Sequence, residues 1–417
     1  MEIKRDLLLK RLIDLRHNGM IKVVTGMRRC GKSYLLFNLF TDALKAKGVD
    51  EENIVQINLE DRRNKSLRDT DKLLAYIDSR LKDNKMYYIL LDEVQLVNEF
   101  EDVLNSYLQV KNADVYVTGS NARFLSKDVI TEFRGRGLEI RVHPLSFSEI
   151  RGARPDEPIE QLWIEYITYG GLPQVITMNS DQEKVDYLKG LFKHTYLKDI
   201  KERYDIKLDG DLEELISTLA STVGGLTNPR KLADTFRTVK KSTISQDTIK
   251  VYIDYLQDAF IIERALRYDI KGKRYIDTPS KYYFEDLGLR NALLNFRQVE
   301  KTHLMENAIY NELRARGMAV DVGEVIWNTK DDEGKKIRKT LEVDFVCNQG
   351  YKRSYIQSAF SIPNEEKRNQ ELQSLRRIDD SFQKIVVIGD HNARYQNDDG
   401  ILFIDIYDFM INTDSVI

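Results

Sequence analysis

A chain of 417 residues is long enough for two to four domains, each with its own core, and an apolar fraction of 42% beside 31% charged residues excludes a largely disordered protein. Two cysteines and five histidines exclude a disulfide framework and a structural zinc site. No apolar run approaches the length of a bilayer span, and the opening Met1-Glu2-Ile3-Lys4-Arg5-Asp6 is too charged for a signal peptide, so a cytoplasmic protein with no membrane partner is expected.

The first element in chain order is a β-branched run over 21–25, followed by Gly26-Met27-Arg28-Arg29-Cys30-Gly31-Lys32-Ser33 and a helical pattern from Tyr34. Strand, glycine-bounded loop and helix in this order form a cradle for phosphate, because loop amides and a helix N-terminus all present N–H donors to one point. The spacing predicts an ATP site built from Gly26, Met27, Arg28, Arg29, Cys30, Gly31, Lys32, Ser33 and Tyr34. Lys32 is expected to reach the β and γ phosphates, and the Ser33 hydroxyl to ligate Mg²⁺.

A second strand is expected over 54–60. The apolar run 86–91 reads as a third, buried parallel strand, and it ends in Asp92-Glu93. Carboxylates at the C-terminal end of such a strand lie beside the phosphate loop, so Asp92 is assigned to the metal and Glu93 to the attacking water as general base. A fourth strand, from Asp114, ends at Thr118-Gly119-Ser120-Asn121, where Ser120 or Asn121 is placed to bond the γ-phosphate or the water. The alternation predicts a doubly wound α/β core that closes near residue 145.

Residues 151–205 read as helices broken by Tyr169-Gly170-Gly171-Leu172-Pro173. From 211 to about 282, three helices at helix-turn-helix spacing precede a basic hairpin. Residues 226–282 hold twelve Lys or Arg against seven Asp or Glu, a net of +5 in a chain whose total is −3. That excess points to DNA, through Arg264, Arg267, Lys271, Lys273 and Arg274 of the hairpin, although the same architecture also docks proteins.

The phosphate loop, the Asp-Glu pair and the polar strand end resemble the AAA+ superfamily. Together with Gly135-Arg136, Pro144-Leu145-Ser146-Phe147, residues 169–173 and Lys281-Tyr282-Tyr283-Phe284-Glu285-Asp286, they are more narrowly similar to a prokaryotic family of ATP-binding proteins. The resemblance implies a P-loop AAA+ core (1–150), a helical lid (151–205), a winged-helix domain (206–286) and an α+β, degenerate restriction-endonuclease-like domain (287–417). It also implies a homo-oligomer, commonly a ring, in which Arg136, or else Arg134, serves a neighbour as arginine finger; the alternative is that both arginines are surface ion-pair partners. In the last domain Asp344 matches the nuclease pattern, but Gln357 and Ala359 stand where a Glu and a Lys belong, so a working nuclease is not expected. The expected function is hydrolysis of ATP to ADP and phosphate coupled to DNA; the alternative is a slow nucleotide-dependent signalling switch that binds a partner protein.

Overall fold

Runs rich in β-branched and aromatic residues pair into a sheet wherever helices cover both faces, and the first third of the chain does this five times. The structure is a computed structural model that describes residues 3–119, 133, 135–206, 209–330, 336–390 and 394–412. Strands β1 (Ile21–Thr25), β2 (Ile54–Asn58), β3 (Tyr87–Asp92), β4 (Ala113–Gly119) and β5 (Gly137–Arg141) form a sheet in the order β2-β3-β4-β1-β5, parallel at every pairing. Strands β1 and β3 are buried at every position, as parallel strands with both faces covered must be. Ile57, Ile89, Leu91, Val115 and Val117 belong to a core cluster that also holds Leu73 and Ile77 of the helix Thr70–Arg80 and Val103 and Leu104 of the helix Phe100–Tyr107.

One polar side chain inside this sheet is instructive. Lys22 on β1 is fully buried, and its ammonium pairs with Asp114 and lies 4.7 Å from the Tyr116 ring centroid. Burial nonetheless pushes its pKa below the ordinary value, against the pull of Asp114.

The chain divides into two compact units, Met1–Leu145 with Asp258–Phe260, and Ser146–Gln257 with Ile261–Ile417. The second unit opens with the helices Phe147–Ala153 and Ile159–Tyr169. A longer helical run follows from Asp181–Leu191 through the π-helical turn Phe192–Leu197 to Lys198–Tyr204. Three helices come next, Asp209–Ser221, Pro229–Val239 and Gln246–Asp258, and then a hairpin of β6 (Ile262–Asp269) and β7 (Arg274–Phe284). That hairpin is one edge of an eight-stranded sheet. With β8 (Ala319–Lys330), β9 (Lys336–Gln349), β10 (Lys352–Ala359), β11 (Gln383–Ile388), β12 (Tyr395–Gln396) and β13 (Leu402–Asp405), the order is β12-β13-β11-β10-β9-β8-β6-β7. The sheet therefore crosses residue 286, because Arg267 of β6 pairs in parallel register with Val322 of β8.

The two motifs at 169–173 and 281–286 meet in one joint. Gly170 ends its helix at φ 77°, and the Gly171 N–H donates to Asp286 Oδ2 at 2.8 Å. Asp286 Oδ1 accepts from Leu289 N at 2.9 Å and so caps the helix Leu287–Leu293. A Cβ on Gly170 would lie 2.4 Å from Asp286 Oδ1, which only glycine avoids. Burial pushes the Asp286 carboxyl up to about 6, although the N–H groups of Leu289, Gly171, Gly288 and Leu172 all favour its charged form.

Candidate functional site

The loop between β1 and the following helix is shaped by residues that tolerate left-handed backbone. Gly26, Arg29 and Gly31 have φ of 142°, 62° and 99°. A Cβ on Gly26 would approach Val142 O to 2.1 Å, so no other residue fits there. Met27 and Cys30 turn inward and are buried, with Cys30 Sγ donating to Val142 O at 3.3 Å, while Arg29 and Tyr34 face outward. This alternation leaves the backbone N–H groups as the means by which these positions can meet a phosphate. The helix begins at Lys32–Tyr34, continues through the π-helical stretch Leu35–Phe40 and ends in Thr41–Ala46.

Lys32 Nζ donates to the carbonyls of Gly26 and Met27 at 3.0 and 2.9 Å, folded back across the loop it belongs to. Ser33 Oγ donates to Asp92 Oδ1 at 2.9 Å, which brings the assigned metal-ligating hydroxyl and carboxylate together from elements 59 residues apart. The register explains the meeting: Leu91 of β3 lies level with Val117 of β4, and Thr25 of β1 with Gly119 of the same β4. Both strand ends therefore open at one edge of the sheet, where the helix N-terminus also lies. Burial pushes the Asp92 carboxyl above its ordinary value, an effect that the hydroxyls of Thr118 and Ser33 and the Lys32 charge only partly offset.

Thr118 is the residue that sequence reasoning missed. Its hydroxyl donates to Asp92 Oδ1 at 2.5 Å and accepts from Glu93 N at 2.9 Å, so one side chain ties both acidic residues to β4. Glu93 itself has left-handed backbone, φ 55° and ψ 50°, and its carboxylate accepts from the Gln95 side-chain amide. The signal in the sequence was slight, a lone hydroxyl at the end of an apolar strand. Ser120, Asn121 and Arg134 lie outside the described residues.

Arg136 is exposed and precedes β5; its carbonyl accepts from Ile21 N at 2.8 Å. This places it beside the start of β1, whereas the phosphate loop leaves the other end of that strand, four residues and roughly 13 Å away at about 3.3 Å per residue. Arg136 is thus not gathered with Lys32, Ser33, Asp92 and Glu93.

In the second unit, three carboxylates converge on one ammonium. Lys281 Nζ lies 2.9 Å from Glu306 Oε1, 2.7 Å from Glu342 Oε1 and 3.9 Å from Asp344 Oδ1. Tyr283 OH donates to the same Glu306 oxygen at 2.7 Å, and Ser358 N to Asp344 Oδ2 at 2.8 Å. Ala359 stands on β10, at the position where the nuclease pattern has its lysine. A lysine is present, but it comes from β7 rather than from the strand beside Asp344, and it is fully engaged. Burial and the neighbouring Glu306 charge push the Asp344 carboxyl up to about 8.

The basic hairpin also differs from its sequence-level picture. Arg267 is ion-paired with Glu324, the two side chains being 15% and 10% exposed. Arg264 donates to Ser280 Oγ and Asp277 O, Lys271 Nζ lies 3.3 Å from Asp379, and Arg274 Nε lies 3.6 Å from Asp269. Four of the five hairpin cations already have partners, which sequence counting did not foresee.

Residues 18–151 match a model of the AAA domain, and residues 160–300 match a domain of unknown function. An uncharacterized protein of Haemophilus influenzae is 33% identical over 414 residues, covering 98% of both chains. A second uncharacterized protein, from Methanocaldococcus jannaschii, is 28% identical over 367 residues, covering 85% of this chain and 77% of its own. Among solved structures, the Walker-type ATPase of Pyrococcus abyssi superposes with a TM-score of 0.50 at 16% identity, over 70% of this chain and 96% of that one, a likeness of fold alone. Among the described residues no helix is long and apolar enough to cross a membrane. With the phosphate loop and the Asp92 cluster in place on a parallel sheet, this chain belongs to the same family of AAA+ ATPases as the Haemophilus protein.

Proposed function

We propose that this AAA+ ATPase hydrolyses ATP to ADP and phosphate with Mg²⁺, as a homo-oligomer whose cycle is coupled to DNA. The observation that carries the reading is the chain of contacts Ser33–Asp92–Thr118–Glu93, which gathers a hydroxyl, a buried carboxylate and a second, partly exposed carboxylate beside a phosphate-shaped loop.

The residues present fit the nucleotide and its metal. Gly26 has room for backbone only, and Ser33 with Asp92 is a hard oxygen donor set of the kind Mg²⁺ prefers. Mg²⁺ supplies charge neutralisation on the transferring phosphoryl oxygens. Lys32 leaves the Gly26 and Met27 carbonyls to meet the β and γ phosphates, and the amides of residues 27–31 hold phosphate oxygens. Glu93 takes the proton of the attacking water, its backbone fixed by the hydroxyl of Thr118. Arg136 or Arg134 of a neighbouring subunit neutralises charge on the γ-phosphate, which places the active form in an oligomer, with a ring as its natural closure. Segments 151–205, 206–286 and 287–417 are read as lid, winged helix and nuclease-like domain.

A second reading, the slow signalling switch, draws on the hairpin: cations already ion-paired within the chain are less available to an anionic partner. Steady-state ATP hydrolysis by the wild type and Glu93→Gln, each with and without duplex, single-stranded and branched DNA, separates the two. The DNA-coupled reading expects stimulation by one DNA form and a loss of about 10²- to 10⁴-fold on removing the base. Turnover indifferent to every DNA form would favour the switch.

A further inference from the structure

We propose that DNA phosphates are contacted by the exposed face of the helix Pro229–Val239 and the segment after it, and not by the hairpin. This rests on the DNA-coupled reading above and deepens it.

The helix is anchored by Pro229, Ala233 and Phe236, which are buried, and its opposite side is solvated. Within twelve residues, Arg230, Lys231, Arg237, Lys240 and Lys241 are all exposed, against the single acid Asp234. Arg230, Asp234 and Arg237 recur at helical spacing on one stripe, with Lys231 beside it. Arg230, Lys231 and Lys241 form no ion pair among the described residues. Arg237 does pair with Asp234 at 3.3 Å and Lys240 with Glu214 at 3.0 Å, but all four side chains are more than a third exposed. Pairs of that kind contribute little and exchange readily for a phosphate.

The neighbouring surfaces fit a polyanion less well. Arg267 of the hairpin would have to abandon Glu324 in a nearly buried pair, which costs far more than breaking a solvated one. The helix Gln246–Asp258, which a helix-turn-helix reading would lay in the groove, carries Asp247, Asp254 and Asp258 against Lys250 alone. Among the described residues of the hydroxyl-bearing positions on the basic helix, Thr235 and Thr238 donate to carbonyls four residues back, so they are committed to the helix itself. What remains on this face is a spread of exposed cationic charge with few neutral groups to read base edges. The contact proposed is with the phosphate backbone, and its signature is steep salt dependence with little preference for sequence.

The test is fluorescence anisotropy of a labelled duplex of arbitrary sequence, titrated with full-length protein over a range of salt. The triple variant Arg230→Glu, Lys231→Glu, Lys241→Glu is expected to weaken binding at least tenfold and to lower the slope of log affinity against log salt by about 3, near 0.9 per lost phosphate contact. Asp234→Lys is expected to tighten binding, while Lys271→Ala with Arg274→Ala changes it less than twofold. Basal ATP turnover and thermal melting of each variant establish that it is folded. Wild-type binding that survives the triple variant but fails in the hairpin double variant overturns the assignment and leaves the DNA-coupled reading intact. A wild type that hydrolyses ATP yet binds no duplex, single-stranded or branched DNA overturns both.

Discussion

The protein gathers acidic residues around a buried aspartate twice, once in each unit, and treats the two clusters differently. At the phosphate loop, Asp92 is satisfied by neutral donors, the hydroxyls of Ser33 and Thr118, while Lys32 is bonded to loop carbonyls. In the second unit, Asp344, Glu306 and Glu342 surround an ammonium that is part of the chain. Burial raises both aspartates from their ordinary value. A carboxylate held by hydroxyls keeps its demand for a positive charge and can exchange a weak donor for a metal ion. One held by a tethered lysine has had that demand met at folding. Residue type alone does not distinguish the two clusters; the source of the counter-charge does.

The sharpest way to break this comparison is to remove the tethered cation. Lys281→Met leaves the buried carboxyl groups of Glu306 and Asp344, with the more exposed Glu342 beside them, without their counter-charge, and unfolding stability should fall by about 3–5 kcal/mol, the range for breaking a buried ion pair on one side. Chemical denaturation of the full chain checks this. ATP turnover measured well below the new midpoint should stay near wild type, because Lys281 takes no part in the phosphate-loop cluster. Restored stability in Lys281→Met with Glu306→Gln, which removes the buried carboxylate bonded to the lysine, would confirm that charge, not lost packing, causes the fall.

A smaller effect lies in pH. Burial and the Glu306 charge push the Asp344 carboxyl up to about 8 in the folded protein, against about 3.9 for an unfolded chain, so between those values the folded state holds a proton that the unfolded state lacks. Its contribution is fully present below about pH 4 and is lost as pH rises through about 8, with a slope no steeper than about 1.4 kcal/mol per pH unit. Asp286, pushed up to about 6, acts in the same direction over a lower window, and burial raises Asp92 and Asp321 as well, so the Asp344 contribution over pH 6 to 8 is read as the difference from Asp344→Asn. Denaturation midpoints across that range should fall for the wild type and flatten in Asp344→Asn. A wild-type profile as flat as the variant's would mean that Asp344 is already ionised in the folded state.

Legibility in the sequence followed the distance between partners. The phosphate loop was readable because its shape depends on residues within eight positions: two glycines, a lysine and a serine between a strand and a helix. Asp92-Glu93 was readable because an apolar strand announces its own end. Lys281 was not, since its role depends on Glu306, Glu342 and Asp344, 25 to 63 residues later and on two other elements. The hairpin misled for the same reason. Its positive residues could be counted, but Glu324 and Asp379, which neutralise two of them, sit 57 and 108 residues further on. Local backbone chemistry is written locally, whereas counter-charges are chosen by the sheet that brings distant strands together.

Thr118 is the residue on which the contrast can be refined most finely, because it is a neutral donor placed where the other cluster uses a cation. Its single hydroxyl holds Asp92 Oδ1 and the Glu93 backbone at once. Valine has nearly the same shape, so Thr118→Val removes the hydroxyl and leaves the β-branched packing of β4. Glu93 loses the contact that fixes its left-handed backbone, and the carboxylate that follows from it becomes less well aimed. One neutral hydrogen bond is worth about 1–1.5 kcal/mol, or roughly tenfold in rate. The expected result is kcat lowered about tenfold with KM for ATP nearly unchanged, since Thr118 contacts neither the loop amides nor Lys32. Thr118→Ser, which keeps the hydroxyl, should recover most of the rate. An increase in KM at unchanged kcat would instead assign the hydroxyl to nucleotide binding, and the two acidic residues would then owe their alignment to Gln95 and the β3 backbone.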